Sequence, residues 1–167
     1  MEVIRAKRAG ACYGVQRALD MADEVIADGG RAYTLGPLIH NPQVVADLAA
    51  RGAEAVDSVE EIRWEGAAAA GAPADGVVPT NANAPSVVIR SHGETRQVLE
   101  RLEAMGARGV NATCPNVLRI QQLVAQADRE GRIPLIIGEP RHPEVMGVAS
   151  WSDRSVIFPG PEELEKW

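Results

Sequence analysis

The chain has 167 residues, 46% of them hydrophobic and 24% charged, the balance of a folded domain and not of a disordered tail. Its 17 basic and 23 acidic residues give a formal charge of −6, and no run of Lys or Arg offers a footprint for a nucleic-acid backbone. No stretch approaches the roughly 20 apolar residues of a membrane span, and the N-terminus lacks the apolar core of a signal peptide. Neither nucleic acid nor membrane is therefore expected as a partner, and the cytoplasm is the expected compartment.

Only 4% of the residues are aromatic, so the core must be built from Val, Ile, Leu and Ala, as in a parallel α/β sheet and unlike a β-sandwich. Glu2–Ala6 reads as a strand, followed by a helix over Val15–Ala27 with apolar residues at helical spacing and a Gly29-Gly30 stop. The unit recurs as strand Ala32–Leu35 and helix Pro42–Arg51, with Asn41 placed as N-cap and Pro42 at the first helical position. Strand Ala53–Val56 comes next, and Ser58 and Glu61 are spaced as a capping box for a short helix.

Residues 66–85 are mostly Ala, Gly, Pro and Asn with almost no large apolar side chain, and read as a flexible surface insertion. The alternation then resumes: strand Ser86–Arg90, helix Thr95–Met105, strand Gly109–Ala112, helix Asn116–Glu130, strand Pro134–Gly138, helix Pro143–Trp151 and strand Ser155–Phe158. Pro161–Glu165 begins a further helix. Repeated βα alternation predicts parallel sheets with helices on their faces. The expected organisation is one α/β lobe over residues 1–112 and a second, incomplete one over 113–167.

Five side chains could bind a metal or carry protons near neutral pH: Cys12, Cys114, His40, His92 and His142. Each falls at a junction between a strand and the following helix. In an open parallel sheet these junctions lie at the carboxyl ends of the strands, where ligands bind and helix N-termini offer free N–H groups to anions. A helix N-terminus also favours the thiolate, the form that ligates iron or zinc. Taken singly, a free cysteine is as readily a small core side chain, and a loop histidine is more often a surface residue. Glu144 in a first helical turn is ordinarily a dipole partner, but facing a bound diphosphate it would be driven toward protonation and suit a proton donor. The two cysteines are 102 positions apart and show no CxxC spacing, so a zinc site would have to be assembled from distant junctions, and two thiols fall short of a complete cluster.

The segments Ala9-Gly10-Ala11-Cys12-Tyr13-Gly14-Val15-Gln16-Arg17-Ala18, Ile39-His40-Asn41, Ser91-His92-Gly93, Asn111-Ala112-Thr113-Cys114-Pro115 and His142-Pro143-Glu144-Val145 occur in an order and spacing that resemble the 4-hydroxy-3-methylbut-2-enyl diphosphate reductase (LytB/IspH) family. Each motif alone is weak; the five in series are specific. The resemblance implies three similar α/β lobes around a 4Fe–4S cluster, each lobe giving one cysteine, with Cys12 and Cys114 as two of the ligands. It implies substrate contacts from His40, His92 and His142, proton delivery by Glu144 with His142 beside it, and reductive dehydroxylation of the allylic diphosphate to isopentenyl and dimethylallyl diphosphates. A ferredoxin or flavodoxin would supply the electrons. The sequence departs from the family in the insertion over 66–85, and the family's third cysteine and C-terminal diphosphate contacts would lie beyond Trp167, so an N-terminal portion is expected. A non-redox diphosphate-binding α/β module or an inactive fragment is the alternative, and a purely structural α/β domain the third reading. They divide on whether iron binding and diphosphate binding depend on the cysteines.

Overall fold

In the computed structural model, which describes residues 3–4, 10–63 and 84–167, the alternation of strand and helix is realised. The elements are α1 (Tyr13–Ala27), β1 (Ala32–Leu35), α2 (Pro42–Ala50), β2 (Ala53–Val56), a single 3-10 turn at Val59–Glu61, β3 (Ser86–Ile89), α3 (Arg96–Ala104) and β4 (Arg108–Asn111). They continue as α4 (Pro115–Arg129), β5 (Leu135–Ile137), α5 (Pro143–Ala149), β6 (Val156–Phe158) and α6 (Pro161–Lys166).

Four strands form one parallel sheet in the order β2-β1-β3-β4, with Ala32 opposite both Ala53 and Ser86, and Ser86 opposite Arg108. All four residues of β1 and of β3 are buried, as central parallel strands require. Alternate side chains feed two cores. On one face Val88 meets Ala18, Ala22 and Val25 of α1 and Leu48 of α2; on the other Tyr33, Leu35, Val87 and Ile89 meet Leu102 of α3 and Val59 of the 3-10 turn. Each fully buried Val or Leu contributes roughly 1.5–3 kcal/mol. The small alanines of α1 let that helix approach the sheet closely.

Because the chain runs from β1 outward to β2 and then returns to the other side of β1 as β3, the strand order reverses between β1 and β3. The loops leaving these strands diverge and open a crevice at their carboxyl ends. β5 and β6 form a separate parallel pair in which Leu135 lies opposite Val156. Val117 and Val124 of α4, Val148 of α5, Ile136 and Trp151 make its core.

The structure corrects the sequence reading in places. Of the strand expected over Glu2–Ala6, residues 2, 5 and 6 lie outside the described residues. Val3 and Ile4 belong to no strand and are 81% and 85% exposed, because among the described residues neither has a neighbouring strand to pair with. The capping box does not close: Ser58 makes no cap bond to a first-turn amide, and Glu61 reaches the Asp57 amide instead, at 3.4 Å. α1 and α4 start at Tyr13 and Pro115, earlier than expected, because the cysteines themselves occupy the N-cap positions. Of the insertion expected over 66–85, residues 66–83 lie outside the described residues, and Pro85 is buried, its carbonyl accepting from Arg108 N at 3.0 Å.

Candidate functional site

The three histidines converge on the crevice at the strand reversal. β1 leads through Gly36 and buried Leu38 to His40, which the cap of α2 then fixes: the Asn41 side chain accepts from Gln43 N at 3.0 Å and Val44 N at 3.4 Å. β3 leads to His92 in a tight turn where Gly93, at φ +77°, donates to the Arg90 carbonyl at 2.9 Å. His142 is the N-cap of α5, its Nδ1 accepting from Glu144 N at 3.3 Å. That bond makes Nδ1 the acceptor and leaves Nε2 to face a ligand.

The His40 and His92 ring centroids lie 5.0 Å apart and those of His92 and His142 5.6 Å apart. One ring nitrogen from each falls within 4.8 Å of the others. His40 is exposed and the other two are half-buried. The His92 imidazole has its pKa lowered, first by burial and then by the neighbouring His40, with His142 and Arg90 acting the same way and Glu144 opposing them. Three imidazoles at this spacing can bind an anion when protonated or a divalent metal when neutral. The positive end of the α5 dipole favours the anion.

The cysteines are brought to a second focus. Cys12 caps α1 and is exposed; Cys114 caps α4 and is half-buried; both are free thiols and neither side chain caps its own helix. The two turns touch, since a Cβ built on Gly14 would fall 2.7 Å from the Cys114 sulfur. The glycine leaves a bare face against that thiol. Cys114 N donates to the Ser91 carbonyl at 2.9 Å, which ties the cysteine turn to the turn carrying His92. Two thiols at helix N-termini, with no cap bond competing for them, suit iron–sulfur or zinc coordination as part of a larger ligand set.

Several residues with no separate role in the sequence reading support these turns. Arg17 lies one turn into α1 from Cys12 and donates to the carbonyls of Thr113 at 3.3 Å and Asn111 at 3.4 Å, and Asn111 Oδ1 accepts from Thr113 N at 3.0 Å. The spacing of Arg17 from Cys12 was the available signal. Arg90 and Glu94, on either side of His92, form an ion pair at 2.5 Å. Gln121 of α4 is buried and lies against Gly93. A cavity of about 460 Å³ lined by Arg31, Tyr33, Gly52, Glu54 and Arg63 holds none of the five chemistry-bearing residues, and the converging turns are the better candidate for chemistry.

A model of the family described as LytB protein matches residues 3–167. The 4-hydroxy-3-methylbut-2-enyl diphosphate reductase of Geobacter metallireducens is 37% identical over 163 residues, covering 98% of this chain and 51% of the relative. The enzyme of that name from Anaeromyxobacter sp. is 40% identical over 164 residues, covering 96% and 52%. The chain thus spans about half the length of the curated relatives it matches. A solved (E)-4-hydroxy-3-methyl-but-2-enyl diphosphate reductase, described as the terminal enzyme of the non-mevalonate pathway, superposes with a TM-score of 0.75 at 33% identity, covering 98% of this chain and 53% of that one. The E-1-hydroxy-2-methyl-but-2-enyl-4-diphosphate reductase of Plasmodium falciparum superposes with a TM-score of 0.80 at 20% identity over 96% of this chain and 45% of that one, a likeness of fold.

Proposed function

Because the chain belongs to the LytB protein family, we propose that it is the N-terminal portion of a 4-hydroxy-3-methylbut-2-enyl diphosphate reductase, binding the diphosphate of its substrate on His40, His92 and His142. The observation that carries this reading is the convergence of the three imidazoles at the strand reversal and the N-terminus of α5. The lobes over 1–112 and 113–167 are part of the same proposal, supported by two sheets with separate cores.

The chemistry is reductive dehydroxylation: two electrons and two protons replace the allylic hydroxyl by hydrogen and release water, giving isopentenyl and dimethylallyl diphosphates. Cys12 and Cys114 would hold a 4Fe–4S cluster jointly with further ligands, and the cluster would supply the electrons, drawn from a ferredoxin or flavodoxin. Glu144, in the first turn of the helix that His142 caps, would hold the proton that leaves with the hydroxyl, beside a bound diphosphate. The Nδ1 contact with the Glu144 amide keeps His142 oriented with Nε2 outward. Reduced thiols as ligands suit the cytoplasm, and no helix among the described residues is long and apolar enough to cross a membrane.

Calorimetric titration of the chain with pyrophosphate tests the binding step: micromolar-range affinity that drops on His92→Ala and His142→Ala is expected, and no heat of binding would sink it. The redox step is tested on a family-length polypeptide containing this sequence, reconstituted anaerobically. Cys12→Ser and Cys114→Ser are each expected to lower bound iron and sulfide. Diphosphate binding that persists with no iron bound by the reconstituted protein would favour the non-redox module instead.

A further inference from the structure

We infer that the buried Arg90–Glu94 ion pair is a positioning element that holds the three histidine-bearing segments in register for the diphosphate, an inference that rests on the diphosphate reading above. Arg90 Nη2 and Glu94 Oε1 are 2.5 Å apart, with side chains only 17% and 10% exposed. They stand two residues before and two after His92, closing a clamp across the turn in which Gly93 donates to the Arg90 carbonyl.

The two residues of the pair also reach the other two segments, Arg90 through its side chain and Glu94 through its backbone. A Cβ built on Gly36 would fall 2.5 Å from Arg90 Nη1, so the Nη1 end of the guanidinium lies against the residue that opens the loop to His40. Gly36 has φ +68°, which already favours glycine, and the guanidinium leaves no room for a side chain. On the opposite side, a Cβ on Gly147 would fall 3.3 Å from the Glu94 carbonyl oxygen, so the backbone of the clamp packs on α5, the helix that His142 caps. The ion pair therefore joins the exits of β1 and β3, and the backbone of Glu94 carries the contact with α5.

Stability is a poor reason for this arrangement. Removing two charges from water offsets most of their attraction, and an apolar pair of similar volume often serves a core equally well. Here Arg90 Nε is buried with no hydrogen-bond partner among the described residues, which adds to the cost. Direct attraction of the diphosphate is a poor reason too, because Glu94 neutralises the guanidinium. Geometry remains: the planar fork of arginine fixes direction as well as distance.

The test compares the wild-type chain with Arg90→Met/Glu94→Leu and with Glu94→Gln, reading thermal midpoint, pyrophosphate affinity and the histidine Hε1 resonances. The double variant is expected to melt within about 4 °C of wild type and to lose about tenfold or more in pyrophosphate affinity, with shifted His40 and His142 resonances. Wild-type affinity in a folded double variant overturns the inference. Should the double variant not fold, Glu94→Gln decides: it leaves Arg90 unneutralised, so tighter pyrophosphate binding would mean an electrostatic role and overturn the positional one, whereas weaker binding supports it. A wild-type chain that binds no pyrophosphate overturns the diphosphate reading alone; the clamp then stands or falls on whether the His40 and His142 resonances move in the variants.

Discussion

Gly14, in the first turn of α1, faces the thiol of Cys114 so closely that a Cβ on it would lie 2.7 Å from the sulfur and 3.0 Å from the Cys114 Cβ. The two helix N-termini capped by cysteines therefore abut with no side chain between them. Gly14→Ala sets two effects against each other. Alanine improves helix propensity by about 1 kcal/mol, and the overlap costs about 1–3 kcal/mol in a packed interior. The overlap wins because the neighbouring Cβ belongs to a residue anchored at the head of α4, so Gly14→Ala is expected to lower the thermal midpoint by a few degrees. A raised midpoint would show that the turns are free to separate.

Burial and the adjacent His40 hold the His92 imidazole below its ordinary value, and this makes stability depend on pH in a definite direction. The unfolded chain takes up the His92 proton near the ordinary value of about 6.5, before the folded chain does. Stability is therefore fully present above that value and is lost as pH falls toward the folded-state value. Melting curves between about pH 7 and about pH 5 should show a decline that His92→Gln reduces. A decline identical in wild type and variant would remove His92 as its source.

Gln121 is 3% exposed, and its Nε2 is buried with no hydrogen-bond partner among the described residues. Exchanging an unpaired buried amide for an apolar group of similar shape is near neutral or stabilising, by about 1 kcal/mol. Gln121→Met should therefore leave the urea midpoint unchanged or raise it. A fall of several kcal/mol in the free energy of unfolding would show that the amide is paired in solution, with the nearby Glu94 carbonyl as the first candidate acceptor.

The β1, β2 and β3 positions were legible because their apolar runs are bounded by Gly, Pro and polar residues, and Asn41 announces the helix it caps by residue type. Histidine placement followed from topology: residues just past parallel strands must lie at one edge. The N-terminal strand was not legible, since Val3 and Ile4 carry the right composition but a strand is defined by its partners. The sequence put both cysteines at helix N-termini but not the first helical residues, because Cys12 and Cys114 make no side-chain cap bond and leave none of the usual Ser, Thr, Asp or Asn signature. The Arg90–Glu94 clamp, formed i to i+4 across a turn rather than along a helix, has meaning only once Gly36 and Gly147 are packed against it.

Asn41 couples helix capping to the placement of His40, and two substitutions separate these roles. Asn41→Ala removes the acceptor for Gln43 N and Val44 N and should cost about 1 kcal/mol. Asn41→Asp caps equally well but places a negative charge beside the imidazoles. The alanine variant should melt lower. The aspartate variant should melt near wild type and yet bind pyrophosphate more weakly, with the difference shrinking at high salt. Equal pyrophosphate affinity in wild type and Asn41→Asp would place the anion away from His40.

Binding of a diphosphate should be accompanied by proton uptake. In the free chain the neutral form of His92 is favoured, because burial and His40 oppose its charge, and His142 adds to that opposition. An anion seated among the three rings reverses the balance by favouring the imidazolium, so the His92 pKa must rise in the complex. Near neutral pH the complex then holds more protons than its separated parts, and linkage requires the affinity to increase as pH falls through the interval between the free and bound values, after allowance for titration of the ligand. Calorimetry in buffers of different ionisation enthalpy measures the number directly. Uptake of a fraction of a proton to one proton is expected for wild type, with less for His92→Gln. Net release of protons on binding would point instead to a ligand that requires neutral imidazoles, as a divalent metal ion does.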